Sequence, residues 1–151
     1  MISKLLSGDH LRRLFETPDY QPASGFSAEG VEAIYIENEP YRRNRTTVFA
    51  WMGLPKLKRG EQCPAMVLLH GGGGTAFDEW VRLWTSRGYA AIAIDQCGCQ
   101  PQIPAVDGEP HDRNPSGGPA GWDQSVFQIN DPLTDQWQYH AITAAIRANS
   151  L

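Results

Sequence analysis

The chain has 151 residues, 41% of them hydrophobic and 20% charged, with a formal net charge of −4. That length suits one domain with a packed core, and the composition excludes wholesale disorder. A net negative charge implies no strongly basic face and argues against nucleic acid as the main partner.

The opening stretch, MISKLLSGDHLRRLF, has one early Lys and breaks at Ser7-Gly8-Asp9. It has no apolar h-region and no small-residue cleavage site, so a secretory signal is not expected and a cytoplasmic location is. No apolar run is long enough to cross a membrane. The three cysteines, Cys63, Cys97 and Cys99, fit reduced thiols. No internal repeat is visible.

Residues 7–16 suit a short amphipathic helix capped by Ser7 or Asp9, with Leu11, Leu14 and Phe15 at helical spacing. The following TPDYQPASG reads as loop, so residues 1–29 form an N-terminal helix and loop. VEAIYIENEP (31–40) and RTTVFAWMGLP (45–55) are rich in β-branched and aromatic residues and are joined by the polar turn YRRNR. They predict an antiparallel hairpin. The run PAMVLLH (64–70) is continuously apolar, as a strand buried on both faces is.

After the glycines, Phe77, Trp80, Val81 and Trp84 recur at helical spacing, with Thr75 as a candidate N-cap and Gly88 as a stop. YAAIAID (89–95) is a second buried strand. Residues 64–95 therefore read as a βαβ unit with a parallel pair, completing the first four strands and first crossover helix of 30–95. Residues 96–133 are dense in Gly, Pro and Asp and read as one long loop. Residues 134–151 read as a second helix, with Ala141, Ala144, Ala145 and Ala148 permitting close packing on a sheet.

The chemistry concentrates in HGGGG, residues 70–74. Glycines at a strand end let backbone N–H groups approach a ligand with no Cβ in the way. One reading is a dinucleotide site: Gly71, Gly73 and Ala76 satisfy G-x-G-x-x-G/A, and Asp95 ends the next strand. The hairpin before the unit and the long loop after Asp95 fit that reading poorly. A P-loop is excluded, because no Gly-Lys-Ser/Thr follows. A second reading is an oxyanion hole, in which a loop N–H stabilises the tetrahedral oxyanion of acyl transfer. A third is a tight turn with no ligand.

With TVFAWMGLP before it and DQWQYHAITAAIRANSL after it, the text PAMVLLHGGGGTAFDEWVRLWTSRGYAAIAIDQCGCQ resembles the N-terminal part of α/β-hydrolases of the dienelactone hydrolase and acetyl xylan esterase type. The resemblance covers most of residues 30–151. It implies an α/β fold in which a β-hairpin leads into a mostly parallel sheet with flanking helices. It implies serine-dependent hydrolysis of a small carboxylic ester, an acyl group on a sugar being the substrate it points to. The oxyanion loop carries over as Gly71, Gly72 and Gly73, with Gly72 as the donor. His70, Gly74 and Asp95 support the loop.

The nucleophile does not carry over. No G-x-S-x-G occurs, and Ser24 in PASGF and Ser116 in NPSGG neither follow a strand nor open a helix. In the family order of Ser, acid and His, all triad members would lie beyond Leu151. The expectation is therefore a single, truncated domain over 1–151, inactive by itself and without cofactor or metal. Its last strand, 89–95, would be an open edge through which a homodimer forms.

Other residues have plainer readings. His70 is expected to hold the loop by hydrogen bonds, and Asp95 to cap the loop after its strand. Cys97 and Cys99 form C-x-C and read as buried or loop thiols rather than metal ligands. His140, between Tyr139 and Ala141, reads as a hydrogen-bonded core residue. Trp122, Trp137 and Tyr139 read as packing residues rather than substrate contacts. Arg42, Arg43 and Arg45 read as a solvated turn.

Overall fold

The computed structural model describes residues 7–71, 74–106 and 109–151, without the side chains of 103–106, 109–110 and 123. The first helix, α1 (Gly8–Leu14), is capped by Ser7, whose hydroxyl oxygen accepts from the His10 N–H at 3.4 Å. Of its apolar residues only Leu14 is buried. A short strand, β1 (Tyr20–Pro22), follows in the stretch expected to be loop. Strands β2 (Glu32–Tyr41) and β3 (Asn44–Gly53) form the expected hairpin. Arg42 and Arg43 make its turn at φ 49° and 68°. Two consecutive left-handed residues match the twist of a hairpin, although Asn and Gly normally occupy them.

Strand β4 (Ala65–Leu69), helix α2 (Asp78–Thr85) and strand β5 (Ala90–Ile94) form the βαβ unit. The N-cap of α2 is Phe77, with no side-chain hydrogen bond. The expected cap, Thr75, instead donates its hydroxyl proton to Asp95. Gly88, at φ 87°, lies just past the end of α2, where a left-handed residue ends a helix.

The fold is α/β. Its main sheet has the order β1-β2-β3-β5-β4, and only the β4–β5 pairing is parallel. Within the described residues the sheet is thus mostly antiparallel, where a mostly parallel one was expected. The hairpin and β1 contribute strands that need no crossover, and they outnumber the single βαβ unit.

The position of the last strand also differs from expectation. Strand β5 lies inside the sheet, between β3 and β4, and Ala91, Ile92, Ala93 and Ile94 are all buried. The edge on this side of the sheet belongs to β4, none of whose residues is buried and whose ends, Ala65 and Leu69, are exposed. The apolar run of β4 identifies a strand but not its neighbours, because hydrogen-bonded edges leave no mark on side-chain pattern.

Two apolar clusters fill the two sides of this sheet. Phe49, Trp51, Ala91 and Ala93 pack with Val81 of α2, and Ile34, Ile36, Ala50, Ile92 and Ile94 pack with Ala144 and Ala148. The alternation along β3 and β5 sends successive side chains to opposite faces. Ala144 and Ala148 belong to the third helix, α3 (Trp137–Asn149). Their small side chains bring its axis close to the sheet.

The stretch read as one loop, 96–133, contains a β-ribbon of β6 (Cys99–Val106) and β7 (Glu109–Arg113) and a 3₁₀ turn, Trp122–Gln128; a second 3₁₀ turn, Leu133–Asp135, runs into the stretch 134–151 read as helix, which starts only at Trp137. The prolines in this ribbon hide it, because Pro within a run argues against a strand.

Candidate active site

Leu69 of β4 lies opposite Ile94 of β5, so the next residues, His70 and Asp95, stand side by side at the carboxyl ends of the two parallel strands. Crevices at such ends are where open α/β sheets place their ligands. Both side chains are 1% exposed, and His70 Nε2 is 3.5 Å from Asp95 Oδ2.

The hydrogen bonds decide how the pair is held. The Gln96 N–H points at His70 Nε2 over 3.0 Å, and His70 Nδ1 is 2.9 Å from the Gly71 carbonyl. Both ring nitrogens are thus within hydrogen-bond distance of backbone groups of the site. The Gln96 side-chain amide also donates to the His70 carbonyl at 2.9 Å. His70 is thus pinned at ring and backbone, and Gly71 begins the glycine loop from a fixed point.

Asp95 organises the other strand end. Its Oδ1 accepts the N–H groups of Cys97 (2.8 Å) and Cys99 (2.7 Å), and its Oδ2 accepts the buried Thr75 hydroxyl at 3.2 Å. Burial pushes its carboxyl up. The His70 ring and the two N–H donors outweigh that, and hold it below the usual carboxylate value. Neither oxygen is free to meet a ribose hydroxyl, which the dinucleotide reading requires of this residue. Helix α2 moreover starts only at Asp78, with Asp78 and Glu79 in its first turn, a poor setting for a pyrophosphate.

In the glycine loop, Gly71 is exposed, and its carbonyl accepts the Gly74 N–H at 3.3 Å. A Cβ on Gly74 would lie 3.1 Å from the Phe77 ring and 3.3 Å from His70 Nδ1, so glycine fits there without displacing either. Gly72, the expected oxyanion donor, and Gly73 lie outside the described residues.

Cys97 and Cys99 are buried and free. Burial first, then the nearby Asp95 and Cys99, pushes the Cys97 thiol up to about 12. Cys99 is raised by burial and by Asp95. Both stay protonated and inert as nucleophiles. Among the described residues no group of three or more His, Cys, Asp or Glu is arranged to hold a metal. Ser24 is exposed on a turn, and Ser116 sits in the turn after Asn114, whose side-chain oxygen takes its N–H. Neither approaches the role of a nucleophile next to His70.

Behind the site, Gln96 and Trp137 carry the contact outward. The Trp137 indole N–H donates to the Gln96 carbonyl at 2.7 Å, and its ring meets Trp122 with centroids 5.0 Å apart. Gln96 has no signal in the sequence, since a lone glutamine after a strand matches no motif. His140 is a buried core residue whose Nε2 contacts the Thr134 carbonyl at 2.9 Å, and Tyr139 donates to Glu39 at 2.8 Å. Arg42 pairs with Asp131 at 3.6 Å and stacks on Tyr41. No helix among the described residues is long and apolar enough to cross a membrane.

No protein-family model matches the chain, and a search of curated proteins gives no match. Among solved structures the chain is similar to the crystal structure of acetyl xylan esterase 1 from a Thermoanaerobacterium species. The TM-score is 0.49 at 17% sequence identity, over 89% of this chain and 41% of that one. The chain thus spans less than half the length of this structural neighbour.

Proposed function

We propose that this chain supplies the oxyanion loop of a serine-dependent carboxylic-ester hydrolase. The observation that carries the reading is the seating of HGGGG. It leaves the carboxyl end of β4 from a histidine locked by Gln96, beside a buried Asp95 that shapes the neighbouring strand end. Donors preorganised in a loop that starts from such an anchor stabilise an oxyanion because nothing has to reorient as charge develops.

In this reading the Gly72 N–H is one donor. The nucleophilic serine, its acid and its base come from residues outside this sequence, as does the second donor. The acyl enzyme forms on that serine and water releases it. His70 acts as a brace rather than as the base, since both its ring nitrogens are engaged. The 151 residues alone then hydrolyse no ester.

The test compares two proteins with p-nitrophenyl acetate: the chain alone, and the chain joined to the coding sequence that follows the codon for Leu151. The first should show background rates only and the second turnover. In the second, Gly72→Pro, which removes the N–H, should lower kcat about 10²–10³-fold. An inactive extended protein, or a Gly72→Pro variant at full rate, refutes the proposal.

A further inference from the structure

Thr75 is buried, 5% exposed, and its hydroxyl is not spent on capping α2. It donates instead to Asp95 Oδ2 at 3.2 Å. The same oxygen stands 3.5 Å from His70 Nε2. His70 and Thr75 are the residues on either side of the four glycines. Both ends of the glycine stretch therefore meet at one carboxylate oxygen. That carboxylate is itself fixed. Its Oδ1 accepts the Cys97 and Cys99 N–H groups, and the Asp95 N–H donates to the Phe49 carbonyl at 2.9 Å within the sheet.

Two contacts draw the limbs of the loop together. The Gly74 N–H donates to the Gly71 carbonyl at 3.3 Å. A Cβ on Gly74 would lie 3.3 Å from His70 Nδ1, so the outgoing backbone runs against the ring of the residue that starts the loop. The incoming limb has several ties, through the His70 ring and the His70 carbonyl. The outgoing limb has one. Among the described residues, the Thr75 hydroxyl makes the only side-chain hydrogen bond between Gly74 and Phe77. Glycine has the most backbone freedom to lose, so a glycine stretch gains more order from a tied end than other sequences would.

We infer that Thr75 is a positioning residue for the glycine loop. Its hydroxyl fastens the outgoing limb to Asp95 as His70 fastens the incoming one. Thr75 touches no substrate and acts through the backbone it holds. The consequence for turnover rests on the hydrolase reading proposed above, whereas the tie itself is measurable without it.

The experiment uses Thr75→Val, which keeps the shape and removes the hydroxyl, and Thr75→Ser, which keeps the hydroxyl. In the 151-residue chain, native-state hydrogen exchange is followed by ¹H–¹⁵N NMR. In Thr75→Val the Gly74 N–H should exchange about tenfold faster, the factor that goes with losing one hydrogen bond to a charged acceptor. The Asp95 N–H, inside the sheet, should speed up less. Thr75→Ser should match the wild type at both amides. In the protein extended beyond Leu151, Thr75→Val should lower kcat for p-nitrophenyl acetate about 10–10²-fold with KM unchanged, as misplacement of a catalytic group does. Thr75→Ser should restore the rate. The inference is overturned if Gly74 and Asp95 speed up by the same factor in Thr75→Val, which is what a merely structural role predicts. It is also overturned if an active extended protein keeps full kcat in Thr75→Val. A Thr75→Ser chain whose Gly74 N–H exchanges about tenfold faster than the wild type overturns it too, and this arm needs no folded Val variant. If Gly74 responds as expected while the extended protein hydrolyses no ester, the loop tie stands and the hydrolase reading falls.

Discussion

Asp95 is where the structure makes its sharpest quantitative demand. The carboxylate is buried, 3.5 Å from the His70 ring, and it accepts two backbone N–H groups and one hydroxyl. Hydrogen bonds to a charged group contribute about 1.5–3 kcal/mol each, against about 1 kcal/mol for neutral ones. Asp95→Asn keeps the shape and one acceptor oxygen, yet makes all three bonds neutral and turns a donor toward Thr75. Allowing for non-additivity, the cost is about 2–3 kcal/mol. Asp95→Ala strands the donors, and at about 1–3 kcal/mol for each one left unpaired it should cost about 4–5 kcal/mol. For a chain of this size about 2–4 °C of Tm goes with each kcal/mol, so the Asn variant should melt about 4–12 °C lower and the Ala variant about 8–20 °C lower. The pH dependence adds a second readout. The carboxyl is held below its ordinary value in the fold, so the unfolded chain takes up the proton first as pH falls. The stability from ionised Asp95 is complete above the unfolded value of about 3.9 and drains away below it. Urea titrations from pH 7 to pH 3 should show a steeper acid loss for the wild type than for Asp95→Asn. If Asp95→Asn matches the wild type at pH 7, desolvation of the charge outweighs what its donors return, and the reasoning is wrong.

The thiols should divide by burial. Native protein at pH 8 should react quickly with Ellman's reagent at Cys63 alone, and at all three cysteines in guanidinium; fast labelling of Cys97 or Cys99 would contradict their raised values. His140 is pulled below its ordinary value by burial, which Thr134, Asp135 and Glu39 only partly oppose. The unfolded chain therefore binds the proton first, and stability complete above about pH 6.5 should decline below it. The urea midpoint should fall between pH 7.5 and 5.5 more in wild type than in His140→Gln, and equal slopes would remove His140 from the account. Finally, we propose that the unpaired edge of β4 joins a second copy in antiparallel register, Ala65 facing Leu69. Sedimentation should show a concentration-dependent dimer that a doubly substituted Ala65→Lys, Leu69→Lys chain cannot form, because lysines would then face each other. A wild type that stays monomeric at high concentration refutes it.

How much of this was legible depended on whether the information was local. The β2–β3 hairpin could be read because its residues and its turn sit together in the chain. The turn held by Asp95 was visible for the same reason, an aspartate at a strand end with amides two and four residues on. The buried state of His140 followed from its place on an apolar helix face. What escaped notice depends on partners far away. Strand β1 is only three residues long and exists because Tyr35 and its neighbours accept it as an edge. The β6–β7 ribbon hides behind prolines. The order that places β5 inside and β4 at the edge is set by pairings across about forty residues, Ala50 with Ile94 among them. Gln96 acquires its role only once His70 and Trp137 are brought to it from opposite directions in the chain.

The anchorage of α3 bears on how the chain is made. Asn38 donates to the His140 carbonyl, Tyr139 and Arg147 both reach Glu39, and Ala144 and Ala148 cover Ile34 and Ile36. Each tie spans about a hundred residues, so the apolar sheet face formed by the first hairpin has no cover from its own surroundings in sequence. On a ribosome adding about 5–20 residues per second, that face waits several seconds for α3 to emerge. During that interval the nascent chain presents bare isoleucines to whatever is nearby, and its yield in a cell should respond to chaperone supply more than the stability of the finished fold would indicate.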